Sequence, residues 1–133
     1  MRVEGRCHCG KIEYEATVDP DTVGLCHCAD CQTLTGSPYR ATIAAPAGDF
    51  KLRGEPKIYI KTADSGTKRA HAFCPDCGTP IYAAAPRDPP TYSLRIGAIK
   101  QRAALSRPRR QIWCVSALSW SGDLTAIAKM ERQ

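Results

Sequence analysis

The sequence predicts a mainly β protein of antiparallel sheets with one short helical turn. Three observations carry this. The segment "KIEYEATV" alternates Ile12, Tyr14, Ala16 and Val18 with Lys11, Glu13, Glu15 and Thr17, the period-two pattern of a half-buried strand. Further short runs of strand type follow: "YRATIAA", "FKLRG", "KIYIKT", "TPIYAAA" and "TYSLRIG". Turn formers separate them, in "DPD", "PAGD", "GEP", "DSG" and "PRDPP". Short strands joined by turns point to antiparallel packing. Before the C-terminal region one helix is expected, near "ADCQTLTG", closed by Gly36.

The 133 residues suit one domain spanning 1–133, with no linker or low-complexity tract to divide it. Hydrophobic residues make up 43%, enough for one core. No apolar run is long enough to span a membrane, so no membrane partner is expected. The start, "MRVEGRCHCG", lacks an apolar stretch of signal-peptide length, so a cytoplasmic protein is expected. The formal charge is +6 and the pI about 9.0. Lys and Arg are spread rather than massed, which reads as a solvated basic surface. A small acidic ligand suits this charge, and nucleic acid is not expected as a partner.

The eight cysteines organise the chemistry. In a reducing compartment they point to metal or catalysis rather than to disulfides. "FCPDCGT" is the strongest signal. Its C-x-x-C turn lets Cys74 and Cys77 reach one ion, Pro75 stiffens it, and Gly78 supplies the left-handed residue that follows. A tetrahedral site needs two more ligands. Cys7-x-Cys9 complements it, because residues i and i+2 of an extended segment face the same way, and Gly10 lets the backbone turn off. Cys7, Cys9, Cys74 and Cys77 together would close a Cys₄ zinc site. Such a site staples the N-terminal strand to a distant knuckle.

Cys26-x-Cys28-x-x-Cys31 places three sulfurs within six residues. Three protein ligands with one position open is the pattern of a catalytic zinc site. Such an ion can bind a further thiol, lower its pKa and keep its sulfur nucleophilic. Spacing alone leaves other pairings of the half-sites open. It also leaves open a structural second site closed by Cys114 or a histidine. Iron–sulfur ligation does not match the common cluster spacings. His8 and His27 lie between paired cysteines and on a strand would face away from them. Cys114, in the apolar run "QIWCVSALSW", reads as a small buried hydrophobe.

The order "CHCG … CHCADCQTLTGSPY … FCPDCGTPIY … LRIGAI … W" resembles the family of glutathione-dependent formaldehyde-activating enzymes and centromere protein V relatives. The resemblance runs from Gly5 to about Ala128. It implies an Mss4-like β-tent of antiparallel sheets built around zinc. It implies one structural zinc on Cys7, Cys9, Cys74 and Cys77, and one catalytic, labile zinc on Cys26, Cys28 and Cys31. The implied activity is that of a carbon–sulfur lyase condensing glutathione, or a similar thiol, with formaldehyde or another small aldehyde. The chain departs from the family at the knuckle, where His71 and Ala72 precede Phe73 and Arg69 lies further back, and at Gln111-Ile112, where His-Ile is usual.

In this reading Cys26, Cys28 and Cys31 are the catalytic residues. The loop "QTLTGSPY" should lie over the metal, with Thr33, Thr35 and Ser37 offering hydroxyls and Gly36 allowing close backbone approach. Arg40 and Arg95 would pair with the carboxylates of an acidic thiol. The rival reading is a non-catalytic, zinc-stabilised module that binds a protein or nucleic-acid partner, since fold does not fix function. The arginines of "SRPRRQ" would then touch phosphates. Thiol redox or metal buffering at the three cysteines is a third reading. An exposed sheet edge would suit a homodimer.

Overall fold

A computed structural model describes residues Met1–Gln133. Ten strands and one helix follow in chain order. They are β1 (Arg2–Arg6), β2 (Glu13–Thr17), β3 (Gly24–Cys26), α1 (Ala29–Thr35), β4 (Arg40–Pro46), β5 (Lys51–Arg53), β6 (Lys57–Thr62), β7 (Lys68–Phe73), β8 (Pro80–Ala84), β9 (Thr91–Arg95) and β10 (Arg110–Ile112). Strands β1, β2 and β5 form a small antiparallel sheet in the order β1-β2-β5. The other seven form a larger sheet in the order β10-β3-β4-β9-β8-β7-β6. The protein is mainly β, as the alternation and turn spacing predict. One pairing departs from the antiparallel rule: β10 lies parallel to β3, with Ile112 opposite Cys26.

The period-two reading of "KIEYEATV" becomes a buried row. Ile12, Tyr14, Ala16 and Val18 are all at most 3% exposed. They meet Ile43, Ile81, Leu94 and Ile99 from the large sheet and the segment after it in one apolar cluster. An aromatic group fills the space between the sheets. Phe50 lies 4.3 Å from Tyr92 and 5.6 Å from Tyr14, and Tyr82 packs edge-on to Tyr92 at 4.8 Å. Offset and edge contacts of this kind stabilise beyond area burial alone.

Helix α1 forms where expected. Cys28 caps its start, its sulfur accepting the Cys31 backbone N–H at 3.3 Å. Gly36 ends it in the left-handed conformation, φ 61°, its N–H donating to the Gln32 carbonyl. Strand β6 is the free edge of the large sheet, and Ile58, Tyr59 and Ile60 on it are all exposed. No helix is long and apolar enough to cross a membrane.

Candidate metal centres and the cavities beside them

Two groups of cysteines converge, and they are the two that the spacing suggested. Cys7, Cys9, Cys74 and Cys77 form one group, and Cys26, Cys28 and Cys31 the other, with the sulfurs of each group within 4.8 Å of one another. Cys114 joins neither. It is exposed in a short turn after β10, not buried as its apolar neighbours suggested. The run "QIWCVSALSW" is an exposed strap rather than a core strand, so its apolar composition misleads.

In the four-cysteine group two turns face each other. Cys7 follows β1 directly, and Gly10 (φ 84°) turns the chain back so that the Ile12 N–H donates to the Cys7 sulfur at 3.3 Å. The C-x-x-C turn closes through Gly78 (φ 74°), whose N–H donates to the Cys74 carbonyl at 2.8 Å. His8 N–H donates to the Thr79 hydroxyl oxygen at 3.0 Å, and Lys11 pairs with Asp76 at 2.7 Å, tying the turns together. The Thr79 hydroxyl, against the Cys77 sulfur at 3.1 Å, brings that thiol down to about 5. Cys7 and Cys9 sulfurs lie 3.5 Å apart, Cys9 and Cys74 3.7 Å. Sulfurs bound tetrahedrally to zinc at ~2.3 Å would sit about 3.8 Å apart, so these four fit a zinc ion. Cys7 and Cys74 are fully buried, which closes the group on its inner side.

The three-cysteine group is built differently. Cys26 ends β3, Cys28 caps α1 and Cys31 lies in the first turn of α1. Burial is the first cause that pushes the Cys31 thiol up to about 12, with Cys26 and Cys28 adding to it and Arg40 opposing. A metal bound here would have to displace that proton, which makes its binding pH-dependent. His27 turns the other way, as alternation on the strand requires. It is 4% exposed, its Nε2–H donates to Gln111 Oε1 at 2.8 Å, and its ring sits edge-on to Tyr39.

Cavities open on two sides of this group. The smaller, of about 170 Å³, is lined by Cys26 and Cys31 together with Arg40, Arg95, Lys61, Arg69 and His71. The larger, of about 470 Å³, is lined by Cys28, Lys61, Trp113, Ser65 and Ser116 among others. Trp113 takes a left-handed backbone (φ 57°) just after β10, an uncommon state for a bulky residue. Gln32 Nε2 donates to the Ser116 and His27 carbonyls at 2.9 and 2.8 Å, which holds this strap against α1.

The expected substrate residues divide. Arg40 and Arg95 share the small cavity with Cys26 and Cys31. Thr35 and Ser37 line a neighbouring cleft of about 350 Å³, onto which no cysteine opens, and Arg40 and Arg95 form its boundary. The Thr35 hydroxyl donates to the Cys31 carbonyl at 2.7 Å, Thr33 is exposed, and Gly36 meets nothing within 4 Å of where a side chain would start. Gly36 caps the helix, with open space where a side chain would start. Sequence reasoning missed His71, Lys61, Arg69 and Trp113, which come from β7, β6 and the strap. The strand alternation of "KRAHAF", with Ala70 and Ala72 buried, was the signal that could have set Arg69 and His71 on the opposite face.

Arg95 dominates the charge of the small cavity. It is 7% exposed, and its Nη2 donates to His71 Nδ1 at 3.1 Å. Burial first, then Arg40, lowers its pKa to about 9, which leaves it a cation at neutral pH. Burial and the surrounding cations bring His71 down to about 4, so the imidazole is neutral. With Nδ1 accepting from Arg95, the ring proton sits on Nε2.

The model of the family described as "Glutathione-dependent formaldehyde-activating enzyme" matches residues 2–116. The chain belongs to this family. Among relatives within reach of it, an "Uncharacterized lyase" of Schizosaccharomyces pombe is 27% identical over 83 residues, covering 59% of this chain and 55% of that protein. A "Putative glutathione-dependent formaldehyde-activating enzyme" of Halomonas elongata is 28% identical over 94 residues, covering 67% of this chain and 60% of that protein. The chain thus spans little more than half the length of these curated relatives. The crystal structure of a Rhodobacter sphaeroides protein shares the fold, with TM-score 0.62 at 20% identity, over 81% of this chain and 98% of that one.

Proposed function

We propose that residues 1–133 form one zinc-binding domain of a carbon–sulfur lyase. It would join a thiol, glutathione or similar, to formaldehyde or another small aldehyde at Cys26, Cys28 and Cys31. One observation carries the reading: the three-sulfur group has cavities of unequal size on two sides, one for each reactant. Family membership supports it, as does the word lyase in the name of the Schizosaccharomyces pombe relative. A zinc ion held by the three thiolates would lower the pKa of the incoming thiol and keep its sulfur nucleophilic. The four-cysteine group would hold a second zinc whose binding energy is folding energy.

The protein's own groups position the reactants. The larger cavity, walled by Trp113, has room for an extended thiol with its sulfur toward Cys28. The aldehyde occupies the smaller cavity beside Cys26 and Cys31. As the sulfur–carbon bond forms, the carbonyl π pair moves onto oxygen, which finally takes up the proton that the thiol gives up. No protein group accepts the His71 Nε2–H, so it can donate to that oxygen while the charge develops. Held geometry is the main contribution, since thiols add to aldehydes without help.

The test is NMR exchange spectroscopy of the thiol adduct with glutathione and formaldehyde, using protein reconstituted with zinc. Wild type should speed exchange, and Cys31→Ser should lose about 100-fold or more of that gain while staying folded. On the rival binding-module reading, Cys31→Ser would alter stability alone and wild type would not speed exchange.

A further inference from the structure

The small cavity holds more positive charge than a neutral aldehyde needs. Arg40, Arg95, Lys61 and Arg69 line it, and the one carboxylate in contact is Asp30, which pairs with Lys61 at 2.7 Å. None of the three arginines makes an ion pair. Arg95 is more than nine-tenths buried, so its charge sits in the wall of the cavity without a carboxylate beside it. Buried guanidinium charge without a counter-ion is costly, and a planar oxyanion is the group that pairs with it best. Three thiolates on a divalent ion carry one net negative charge by simple counting, so the cations outnumber what the metal centre could neutralise.

Size decides which reactant brings the anion. The cavity of about 170 Å³ has room for about six waters at ~30 Å³ each. A carbonyl compound of two or three carbons fills such a volume, whereas most of a tripeptide would lie outside it. Formaldehyde would leave the arginine charges without a counter-ion.

We propose that the carbonyl partner is a small 2-oxo acid, its carboxylate held among Arg40, Arg95 and Arg69 and its carbonyl carbon turned toward Cys26 and Cys31. This rests on the lyase reading above and names the substrate class at the same site. The reaction balances without a redox partner. The thiol sulfur bonds to the carbonyl carbon, the π pair moves to oxygen, and the thiol proton ends on that oxygen, giving a carboxylated hemithioacetal or hemithioketal.

The experiment uses zinc-loaded full chain and glyoxylate, the two-carbon 2-oxo acid. Glyoxylate binding without thiol is measured by titration calorimetry for wild type, Arg69→Gln, Arg95→Gln and the remote control Arg53→Gln. Zinc content and the thermal midpoint are recorded for each. Arg69 is only half-buried and unpaired, so its variant should fold even if the Arg95 variant does not. The expected result is saturable binding that weakens about tenfold or more in Arg69→Gln and stays unchanged in Arg53→Gln. Wild type should also condense glutathione with glyoxylate about tenfold faster, in kcat/KM, than with formaldehyde. Turnover of formaldehyde without glyoxylate binding would overturn the inference and leave the lyase reading standing. Arginine-dependent glyoxylate binding without turnover of either aldehyde would support the anion site and overturn the lyase reading. If Arg69→Gln weakened glutathione binding and not glyoxylate binding, the carboxylate would belong to the thiol and the inference would fail.

Discussion

His71 owes its chemistry to two neighbours that no spacing rule connects to it. Arg95 reaches it from β9 and Arg40 from β4, and both oppose a second positive charge. The imidazole should titrate near pH 4 in proton–carbon NMR spectra, far below an ordinary histidine. Arg95→Gln should move it upward, and an ordinary value in wild type would contradict the arrangement. The unfolded chain takes up this proton first, so His71 costs nothing above the ordinary histidine range. Its contribution lowers stability as pH falls toward about 4 and levels off below. Tyr14 gives a second residue-scale prediction. Its hydroxyl is buried without a partner, so Tyr14→Phe should stabilise the fold by about 1 kcal/mol in urea denaturation. Destabilisation would show that the hydroxyl has a partner after all.

At the scale of elements, legibility follows burial. "KIEYEATV" was readable because Ile12, Tyr14, Ala16 and Val18 all enter the core on one face. Strands β3 and β10 have three residues each and no fully buried side chain, so no period exists to be read. Their parallel pairing follows from the strap crossing back to β3, a tertiary fact outside local sequence. In β7 the buried positions are alanines, whose weak hydropathy hid the alternation. Helix α1 was legible from its stop at Gly36 more than from its seven-residue body, while its cap at Cys28 was not read. A helix this short is marginal alone and depends on its caps. Gly36→Ala should therefore cost about 1 kcal/mol or more, since an L side chain resists φ 61°. A change under a few tenths, measured by denaturant titration, would show that the cap is dispensable.

For the whole molecule, the cysteine spacing carried most of the site, because ligands in pairs at fixed offsets leave a strong local mark. Of the cavity walls, Arg40 and Arg95 were read, while Arg69 and His71 left only a weak alternation in β7. Arg69, Lys61 and Trp113 meet the cysteines only through sheet order and the strap. The two sheets are joined at Cys7, Cys9, Cys74 and Cys77, where a turn after β1 meets the turn between β7 and β8. Zinc at such a site contributes on the order of 10 kcal/mol to folding, so Cys74→Ser should fail to fold cooperatively in circular-dichroism melts. A cooperative melt near the wild-type midpoint would refute the staple. In the proposed function one cysteine group holds a structural ion and the other an ion at which chemistry occurs. Elemental analysis of zinc per chain in freshly purified protein, with Cys31→Ser beside it, tests this most directly. Two zincs are expected in wild type and one in the variant. One zinc in both would leave the three cysteines without a metal and contradict it.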